Sequence, residues 1–503
     1  MPKAQRAELF GHPRGLLVLF FAEMWERFSF YGMRGLLILY LTKHWLFTDE
    51  LASGIYAGYA SMVYLMPVLG GIVADRYLGF KRAVIIGAVL LCLGHLGMAF
   101  EGAPAVFVGA EVVRDELALQ VFYLSLALII VGVGLLKPSI SSIVGELYAA
   151  EDPRRDGGFT IFYMGINVGS VLAALTCGYL GETYGWAYGF GLAGIGMLLG
   201  LVTFIGGASW LAGKGEPPPR ADNTGGADPL LYLYPGILLF VGLCWFLMQH
   251  QHIIGGLLTL ASSAAVCGVL VYIVLACSPD ERKRMGLLLF LTAYSVIFWA
   301  LFEQAGSSMN LFADRNVDRS LGGLEITAAQ LQFFNPGFII LLAPLFSSLW
   351  TYLGRIGKEP SSAAKFGLGI LQAGLGFFVL VYGIGQADGD GQVALLWLAL
   401  AYLVHTTGEL CLSPVGLSMV TRLAVPRVVG LMMGVWFLAS SVAHYVAGII
   451  ASTAAVDPST AANGQSSLLV YYDTFYLVGT VGVVAGLLLL VFAPILSRSL
   501  KTD

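Results

Sequence analysis

An apolar stretch near the start of the chain contains several ionisable residues. Residues 16–41 are long enough to cross a bilayer as a helix. At about 100° per residue, their polar members fall on one face of that helix: Glu23, Glu26, Arg27, Tyr31 and Arg34. Each charge at bilayer depth costs about 2.5–3.5 kcal/mol on insertion-derived scales. Several charges in one helix therefore indicate that they have partners and serve a function. A stripe of both signs, hidden from lipid, favours the wall of an aqueous path, and transport is the first hypothesis.

Ionisable residues recur at three other places inside apolar runs. Lys137 precedes Pro138, Glu303 ends the segment Phe-Trp-Ala-Leu-Phe-Glu, and Glu409 follows Thr-Thr-Gly. With the first stretch, the intramembrane set contains four acids and three bases, close to the pairing that burial demands. Because burial disfavours the charged form of a carboxylate, the one surplus acid is a natural proton carrier.

Structural roles compete with functional ones for each polar residue at bilayer depth. A buried ion pair can hold helices together. Apolar residues of similar volume at the same positions often stabilise a protein equally well. The amides of Asn167 and Asn335 suit either a ligand or a neighbouring helix. The aromatic rings of Tyr31, Tyr64 and Trp436 suit either a substrate pocket or core packing. Residue type alone leaves these alternatives open.

A charged loop separates the second and third apolar runs. It contains Asp75 and Arg76, and it ends at Lys81 and Arg82. The simplest interpretation is a cytoplasmic anchor of basic residues. An Asp near a helix end can also bias which conformation is held, so Asp75 and Arg76 form a candidate conformational loop.

Composition indicates a polytopic membrane protein. The 503 residues are 57% hydrophobic and only 12% charged, whereas soluble domains carry about twice that charge. The first apolar run is too long and too charged for a cleavable signal peptide, so we expect it to be retained. All six cysteines lie in apolar runs without a C-x-x-C pair. We therefore expect no disulfide framework and no metal site. We also expect no cofactor and no nucleic-acid partner.

Fourteen apolar runs are long enough to span a bilayer. They cover residues 14–42, 51–74, 82–100, 119–147, 158–181, 187–211, 230–249, 253–277, 286–312, 327–353, 364–386, 392–420, 429–452 and 470–496. With a cytoplasmic N-terminus, the inner loops and tails hold 20 of the 27 Lys and Arg residues, and the opposite loops hold four. The positive-inside rule thus predicts a multi-pass protein of the cell (inner) membrane with both termini in the cytoplasm.

The chain also divides into two similar halves. Residues 214–228, rich in Pro and Gly, form a linker-like stretch, and the next two runs contain no Asp, Glu, Lys or Arg. Without this inserted hairpin, six helices remain on each side. An echo supports duplication, since Tyr77-Leu78-Gly79 and Tyr352-Leu353-Gly354 follow equivalent helices.

This layout predicts an all-α major facilitator fold with a site between its halves. The predicted divisions are an N-terminal six-helix bundle, a linker with the inserted hairpin, and a C-terminal six-helix bundle: 1–213, 214–285 and 286–503.

The ordered set of motifs resembles the proton-dependent oligopeptide transporter (POT) family of the major facilitator superfamily over nearly the whole chain. The matching segments are Glu23–Gly32 (ExxER(F)xYYG in the family), Phe162–Ser170 (FYxxINxGS), Phe298–Gln304 (FWxxFEQ), Asn335-Pro336 (NP) and Glu409–Leu423 (ELxxSPxGLSMVTKLAP). The inserted hairpin is similar to that of bacterial members.

The resemblance implies roles in substrate binding. Arg27 and Lys137 would hold the carboxylate of a peptide. Asn167, Asn335 and Glu409 would hold its amino terminus. Four further residues would shape the pocket: Tyr31, Tyr64, Trp436 and Ser440.

The resemblance also implies roles in proton coupling. Glu23 and Glu26 would pair with Lys137 and take part in coupling. Glu303 would be a protonation site that can pair with Arg34 at an extracellular gate.

The chain departs from the family pattern at two positions. Phe30 stands where the family commonly has the first of two tyrosines, which removes one hydroxyl from the pocket. Ala57 stands where some animal relatives carry a proton-sensing histidine. Glu303 and the pair of Glu23 and Glu26 then remain as the main proton candidates.

These inferences predict a symporter rather than an enzyme. The expected activity is proton-coupled import of di- and tripeptides by alternating access, by a monomer in the lipid bilayer, with the proton gradient as energy source. A transporter of nitrate or another small anion or metabolite on the same scaffold is the main alternative. A hydrolase would need a nucleophile–base pair or metal cluster at membrane depth, and His405 near Glu409 suits helix packing instead. A receptor that does not transport is a further alternative.

Overall fold

The computed structural model describes residues 8–149, 151–217, 229–456 and 464–498. Within these ranges the chain is mostly helical. Thirteen helical segments are both long and apolar enough to span a bilayer. One more long helix, Gly15–Lys43, carries four ionisable residues in its interior. The prediction of an all-α multi-pass protein is confirmed.

The described residues form two compact units. The first contains those within Met1–Leu46 and Met62–His250. Its elements, in chain order, are β1 Glu8–Leu9, β2 His12–Pro13, α1 Gly15–Lys43, α2 Asp49–Val73, α3 Phe80–Met98, β3 Val106–Val108, β4 Glu111–Val113, α4 Glu116–Glu146, α5 Arg155–Ala173, α6 Tyr179–Thr183, α7 Trp186–Gly206 and α8 Pro229–Gln249. The residues of α2 up to Ser61 belong to the second unit.

The second unit contains the described residues within Phe47–Ser61 and Gln251–Asp503. Its further elements are α9 Gln251–Ala276, α10 Pro279–Phe302, α11 Ser308–Asn316, β5 Val317–Asp318, β6 Ser320–Leu321, β7 Leu324–Glu325, α12 Phe334–Arg355, α13 Ser362–Ile384, β8 Val393–Ala394, α14 Leu395–Leu423, α15 Val429–Thr453 and α16 Gly464–Arg498. Strands β5 and β8 pair in parallel, and the other three strand pairs are antiparallel.

The two apolar runs predicted to form the inserted hairpin are the helices α8 and α9. The linker predicted before it, 214–228, lies outside the described residues from 218 onward. The division of the chain at 213 and 285 stays a prediction.

Local sequence signals explain where several helices begin. The Asp115 carboxylate accepts a hydrogen bond from the Ala118 amide and so caps α4. Ser278 and Glu281 form a capping box at the start of α10, with Pro279 at its first position. These side chains satisfy amide groups that have no partner within their own helix.

Irregular turns interrupt the helices next to predicted functional residues. α2 continues into a π-helical turn, Ala74–Leu78, which contains the exposed residues Asp75 and Arg76. α10 ends at Phe302, and a 3-10 turn begins at Glu303. The predicted run 286–312 lies within one candidate membrane span, Pro279–Asn316, so the span is confirmed and the turn is an irregularity inside it. At this turn the Gln304 side-chain amide donates to the Ala300 carbonyl at 3.0 Å and to the Ala447 carbonyl of α15 at 2.9 Å.

Glycines bring α4 close to its neighbours. A Cβ atom on Gly132 would lie 2.8 Å from the carbonyl oxygen of Gly87 in α3. A Cβ atom on Gly134 would lie 2.7 Å from Cβ of Met66 in α2. Larger residues would therefore push both helices away from α4 and displace Lys137, which lies one turn further along.

Candidate functional site

The first unit buries a cluster of charges on α1. The Arg27 guanidinium pairs with the Glu26 carboxylate through two contacts, of which the one from Nη2 to Oε1 measures 2.6 Å. Its Nε atom lies 3.5 Å from Oε1 of Glu23. All three side chains are at least 96% buried. The shared face predicted for this helix thus brings the two acids and the base together.

One atom of this cluster stands out. Oε2 of Glu23 is buried and accepts no hydrogen bond from the residues that the structure describes. Lys137 is close enough to attract the same carboxylate. An unsatisfied carboxylate oxygen in a buried site favours taking up a proton or a donor from a ligand.

Aromatic rings lie against the three bases that the sequence placed at membrane depth. Cζ of Arg27 lies 4.8 Å from the centroid of Phe30, and Nζ of Lys137 lies 4.7 Å from that of Tyr64. Cζ of Arg34 lies 6.0 Å from the centroid of Tyr31. Rings in this position attract cations electrostatically. Phe30, the departure from the family pattern, therefore supports Arg27 through its ring face without a hydroxyl.

Asn167 lies on α5 in the first unit. It is buried, and its amide donates to the Tyr163 carbonyl one turn earlier, at 3.2 Å. This bond uses one of the amide's two N–H groups, so the other N–H and the amide oxygen can still take part in further contacts.

The second unit brings two predicted substrate residues together. Nδ2 of Asn335, in the first turn of α12, donates to Oε2 of Glu409 at 3.0 Å and to Oγ1 of Thr406 at 3.1 Å. Glu409 is buried in α14. The two residues are 74 positions apart in the chain, and the amide orients the carboxylate.

Glu303 has a buried partner that the sequence analysis missed. Its Oε1 atom lies 3.3 Å from Nε2 of His444 in α15. Nδ1 of His444 lies 2.7 Å from the carbonyl oxygen of Ser440. A single histidine in an apolar run gave no signal, because only the fold places it beside a carboxylate. Glu303 is also close enough to Glu409 to repel its negative charge.

The pocket residues predicted on α15 lie one turn apart. Trp436 is buried, and its ring centroid lies 6.4 Å from that of Phe366 in α13. The Ser440 hydroxyl donates to the Trp436 carbonyl at 3.1 Å. Both contacts are compatible with packing, so a role in the pocket stays a prediction. The predicted gate pair of Arg34 and Glu303 also stays a prediction.

A second ion pair was missed by the sequence analysis. Arg315, at the end of α11, forms a two-bond contact with Asp49 at the start of α2, with N–O distances of 2.6 and 2.7 Å. The Tyr471 hydroxyl lies 3.3 Å from the same guanidinium, and the Val456 amide donates to Asp49 at 3.0 Å. The sequence placed Arg315 in a loop, and nothing local indicated its distant partner.

Within the part of the chain that the structure describes, no group of three His, Cys, Asp or Glu side chains is placed to hold a metal ion. The six cysteines are free thiols. The arrangement instead offers buried cations in the first unit and a buried carboxylate with an amide in the second.

Comparison with known proteins gives consistent matches. The family model described as the POT family matches residues 81–225 and 259–468. The chain is 39% identical to the peptide transporter YePEPT of Yersinia enterocolitica, over 88% of each chain. It is 33% identical to dipeptide and tripeptide permease A of Pectobacterium carotovorum, over 97% of this chain and 92% of that one. A crystal structure of a peptide transporter POT in complex with sulfate superposes with a TM-score of 0.81 at 35% identity, over 99% of this chain and 97% of that chain.

Proposed function

Because this chain belongs to the POT family, we propose that it is a proton-coupled symporter of di- and tripeptides that works by alternating access. The observation that carries the proposal is the separation of charge at membrane depth. The buried Arg27 and the half-buried Lys137 lie in the first unit, and the buried Glu409 lies with the half-buried Asn335 in the second. A short peptide is a zwitterion with two fixed charges, and these two sets match its two ends in sign.

The carboxylate end would be held by the bases of the first unit. Arg27 is already oriented by Glu26 and by the ring of Phe30. Lys137 is held over Tyr64. Charge-assisted hydrogen bonds to a carboxylate are about twice as strong as neutral ones, so these two bases would fix that end firmly. Tyr31 and Asn167 would add polar contacts.

The amino-terminal end would be held by the second unit. Asn335 fixes one oxygen of Glu409, which leaves the other oxygen to accept from an ammonium group. Trp436 and Ser440 would line the space for side chains. Broad specificity needs adaptable pockets around fixed ends, so side chains of differing size would be accepted.

The proton would be carried by the buried carboxylates. Glu303 has a titratable partner in His444, and Glu23 has an oxygen without a donor among the described residues. Protonation of a carboxylate would release an ion pair and permit the change of state, and Glu26 would re-pair with a base afterwards. One positive charge moving inward gains about 2.3 kcal/mol per 100 mV, which can drive accumulation.

The same proposal covers membrane placement. The distribution of Lys and Arg supports an inner-membrane protein with both termini in the cytoplasm. We expect a functional monomer, because every residue assigned to the substrate and the proton comes from one chain.

The direct test is uptake of a labelled dipeptide into proteoliposomes, with and without an imposed pH gradient. Accumulation above the outside concentration should require the gradient, and unlabelled di- and tripeptides should compete whereas free amino acids should not. Equal accumulation of the dipeptide with and without the pH gradient would contradict proton coupling. Counterflow without a gradient separates a carrier from a receptor, which would give none.

A variant separates peptide transport from anion transport. Glu409→Ala should strongly reduce peptide uptake, because the peptide's amino terminus loses its partner. If the protein were a carrier of nitrate, the same variant should transport nitrate at the wild-type rate. Asp280→Ala, which removes an exposed carboxylate paired with the exposed Lys283, is the matched control. If Glu409→Ala leaves peptide uptake at the level of this control, the assignment of Glu409 is wrong.

A further inference from the structure

The hairpin between α3 and α4 exposes an unusual set of apolar side chains. Strands β3 and β4 pair antiparallel, with Val106 opposite Val113. The exposed fractions are 51% for Val106, 64% for Phe107, 61% for Val108 and 49% for Val113. A contiguous exposed apolar patch of this kind marks an interaction surface.

The hairpin is held firmly at its base. The Ala105 amide donates to the His44 carbonyl at 2.9 Å. The Arg114 guanidinium donates to the Trp45 carbonyl at 2.7 Å and to the Leu46 carbonyl at 3.1 Å. These bonds tie both ends of the hairpin to the segment between α1 and α2. Its exposure is therefore a property of the fold and not of a loose loop.

Both faces of the hairpin carry apolar side chains, and Glu111, opposite Val108, is the charged residue on one of them. Residues directly opposite each other in an antiparallel pair share a face. Val106 and Val113 therefore lie on one face, and Phe107 and Val112 lie on the other. Glu111 is the one charged residue between Ala105 and Arg114. If water covered both faces, the exposed apolar surface would be unfavourable by about 25 cal/mol of free energy for each Å².

Exposed apolar residues also lie along the chain on both sides of the patch. In the membrane-spanning helix α3 they recur at spacings of four and three, and a further one follows its last turn: Val89, Leu93, Leu96 and Phe100. Leu117, in the first turn of α4 on the other side of the hairpin, is 69% exposed. The medium that covers such residues on a membrane-spanning helix is lipid, and the hairpin joins two such helices.

The backbone of the hairpin indicates how deep it can lie in the membrane. A two-stranded hairpin has two open edges, whose amide and carbonyl groups cannot remain unsatisfied in hydrocarbon. At the headgroup level, water can satisfy them while apolar side chains reach about 5–10 Å toward the acyl chains. We propose that the β3–β4 hairpin is an interfacial membrane anchor, with Phe107 and its valine neighbours buried among lipid headgroups and upper acyl chains.

The test uses a spin label and the full-length protein in lipid bilayers. Phe107→Cys is made in a Cys267→Ser background, because Cys267 is exposed and the other five cysteines are buried. The label's collision rates with oxygen, which concentrates in lipid, and with a water-soluble nickel chelate are then compared. Leu321→Cys, in the β6–β7 hairpin beside Arg319 and Glu325, is the matched control because Leu321 is also 61% exposed.

At position 107 we expect oxygen collisions to exceed nickel collisions, and at position 321 we expect the reverse. A label at 107 that is as accessible to nickel as the control would overturn the anchor. A label that is immobile and reached by neither reagent would also overturn it, because a protein partner or second copy would then cover the hairpin. Val108→Cys repeats the measurement if the variant at 107 does not fold.

Discussion

Oε1 of Glu303 lies 3.3 Å from Nε2 of His444, in a site where both side chains are at least 95% buried. A carbonyl oxygen can only accept, so the contact between Nδ1 of His444 and the Ser440 carbonyl requires a proton on Nδ1. Nε2 is the ring atom that faces the carboxylate, and an imidazole nitrogen can donate or accept a proton. This position makes His444 a partner for the predicted protonation site.

His444→Gln should impair coupling more than substrate exchange. The variant keeps a polar side chain but removes the second titratable group beside Glu303. We expect gradient-driven accumulation to fall about tenfold, or about 1.4 kcal/mol, which is within the range for one intramolecular hydrogen bond. Counterflow should stay near the wild-type rate. His405→Gln is the control, since His405 is buried but contacts the Ala373 carbonyl instead of an acid. Equal losses in the two variants would rule out a specific role.

Phe30 allows a graded test of the Arg27 site. Phe30→Tyr keeps the ring over the guanidinium, so peptide affinity should change little. Phe30→Ala removes the ring and should weaken binding by about 0.5–2 kcal/mol, the range of a cation–π contact. Competition assays with a labelled dipeptide measure both. A larger loss for Phe30→Tyr than for Phe30→Ala would contradict support through the ring face.

The pair of Asp49 and Arg315 should contribute to the stability of the second unit. Asp49→Asn leaves the guanidinium without its carboxylate partner, and because Arg315 is partly exposed, we expect a loss of about 1–3 kcal/mol rather than the full cost of a buried charge. Thermal unfolding in detergent checks this. Asp318→Asn is the control, because Asp318 is exposed and bonds only within its own turn. An unchanged melting temperature in Asp49→Asn would show that the pair is not stabilising.

Arg154 should hold the N-terminal hairpin of β1 and β2. Its guanidinium donates to Asp152, to Glu8 and to the Gly11 carbonyl, each at about 2.9 Å. The side-chain hydrogen bond from Arg154 lowers the pKa of Asp152 to about 2. A lowered acid pKa means that the contact is complete above the ordinary value near 3.8 and is lost as pH falls through about 2.

Arg154→Gln should therefore speed amide hydrogen exchange in residues 8–13 at neutral pH, and high salt should do so in the wild type, because the contact is exposed. Lys283→Gln, which removes an exposed pair with Asp280, is the control. Unchanged exchange in Arg154→Gln would show that the hairpin is held by other contacts, such as that between His12 and Tyr148.

Sequence patterns predicted the helices well and their interruptions poorly. Length and hydropathy are local properties, so the fourteen spans followed from the chain directly. The 3-10 turn at Glu303 did not, because an irregular turn inside an apolar run changes neither its length nor its hydropathy.

The candidate site shows the same limit. The spacing of Glu23, Glu26 and Arg27 along one helix was enough to predict that they share a face, since helix geometry fixes it. Motifs identified Glu409 and Asn335 as candidates, but their direct bond was not visible in the sequence. His444 and Arg315 gave no signal at all, because a lone polar residue acquires meaning only from its neighbours in space.

The amino-acid sequence by itself thus determined that the chain spans a membrane, that it carries buried charges of both signs, and that it resembles one transporter family. These three properties depend on composition, hydrophobic period and motif order, which can be read directly from the order of the residues. The tertiary structure decided which charges touch, that His444 faces Glu303, that Asp49 binds Arg315, and that the β3–β4 hairpin exposes its apolar side chains. Contacts between distant residues depend on how helices pack, and packing is a property of the whole fold.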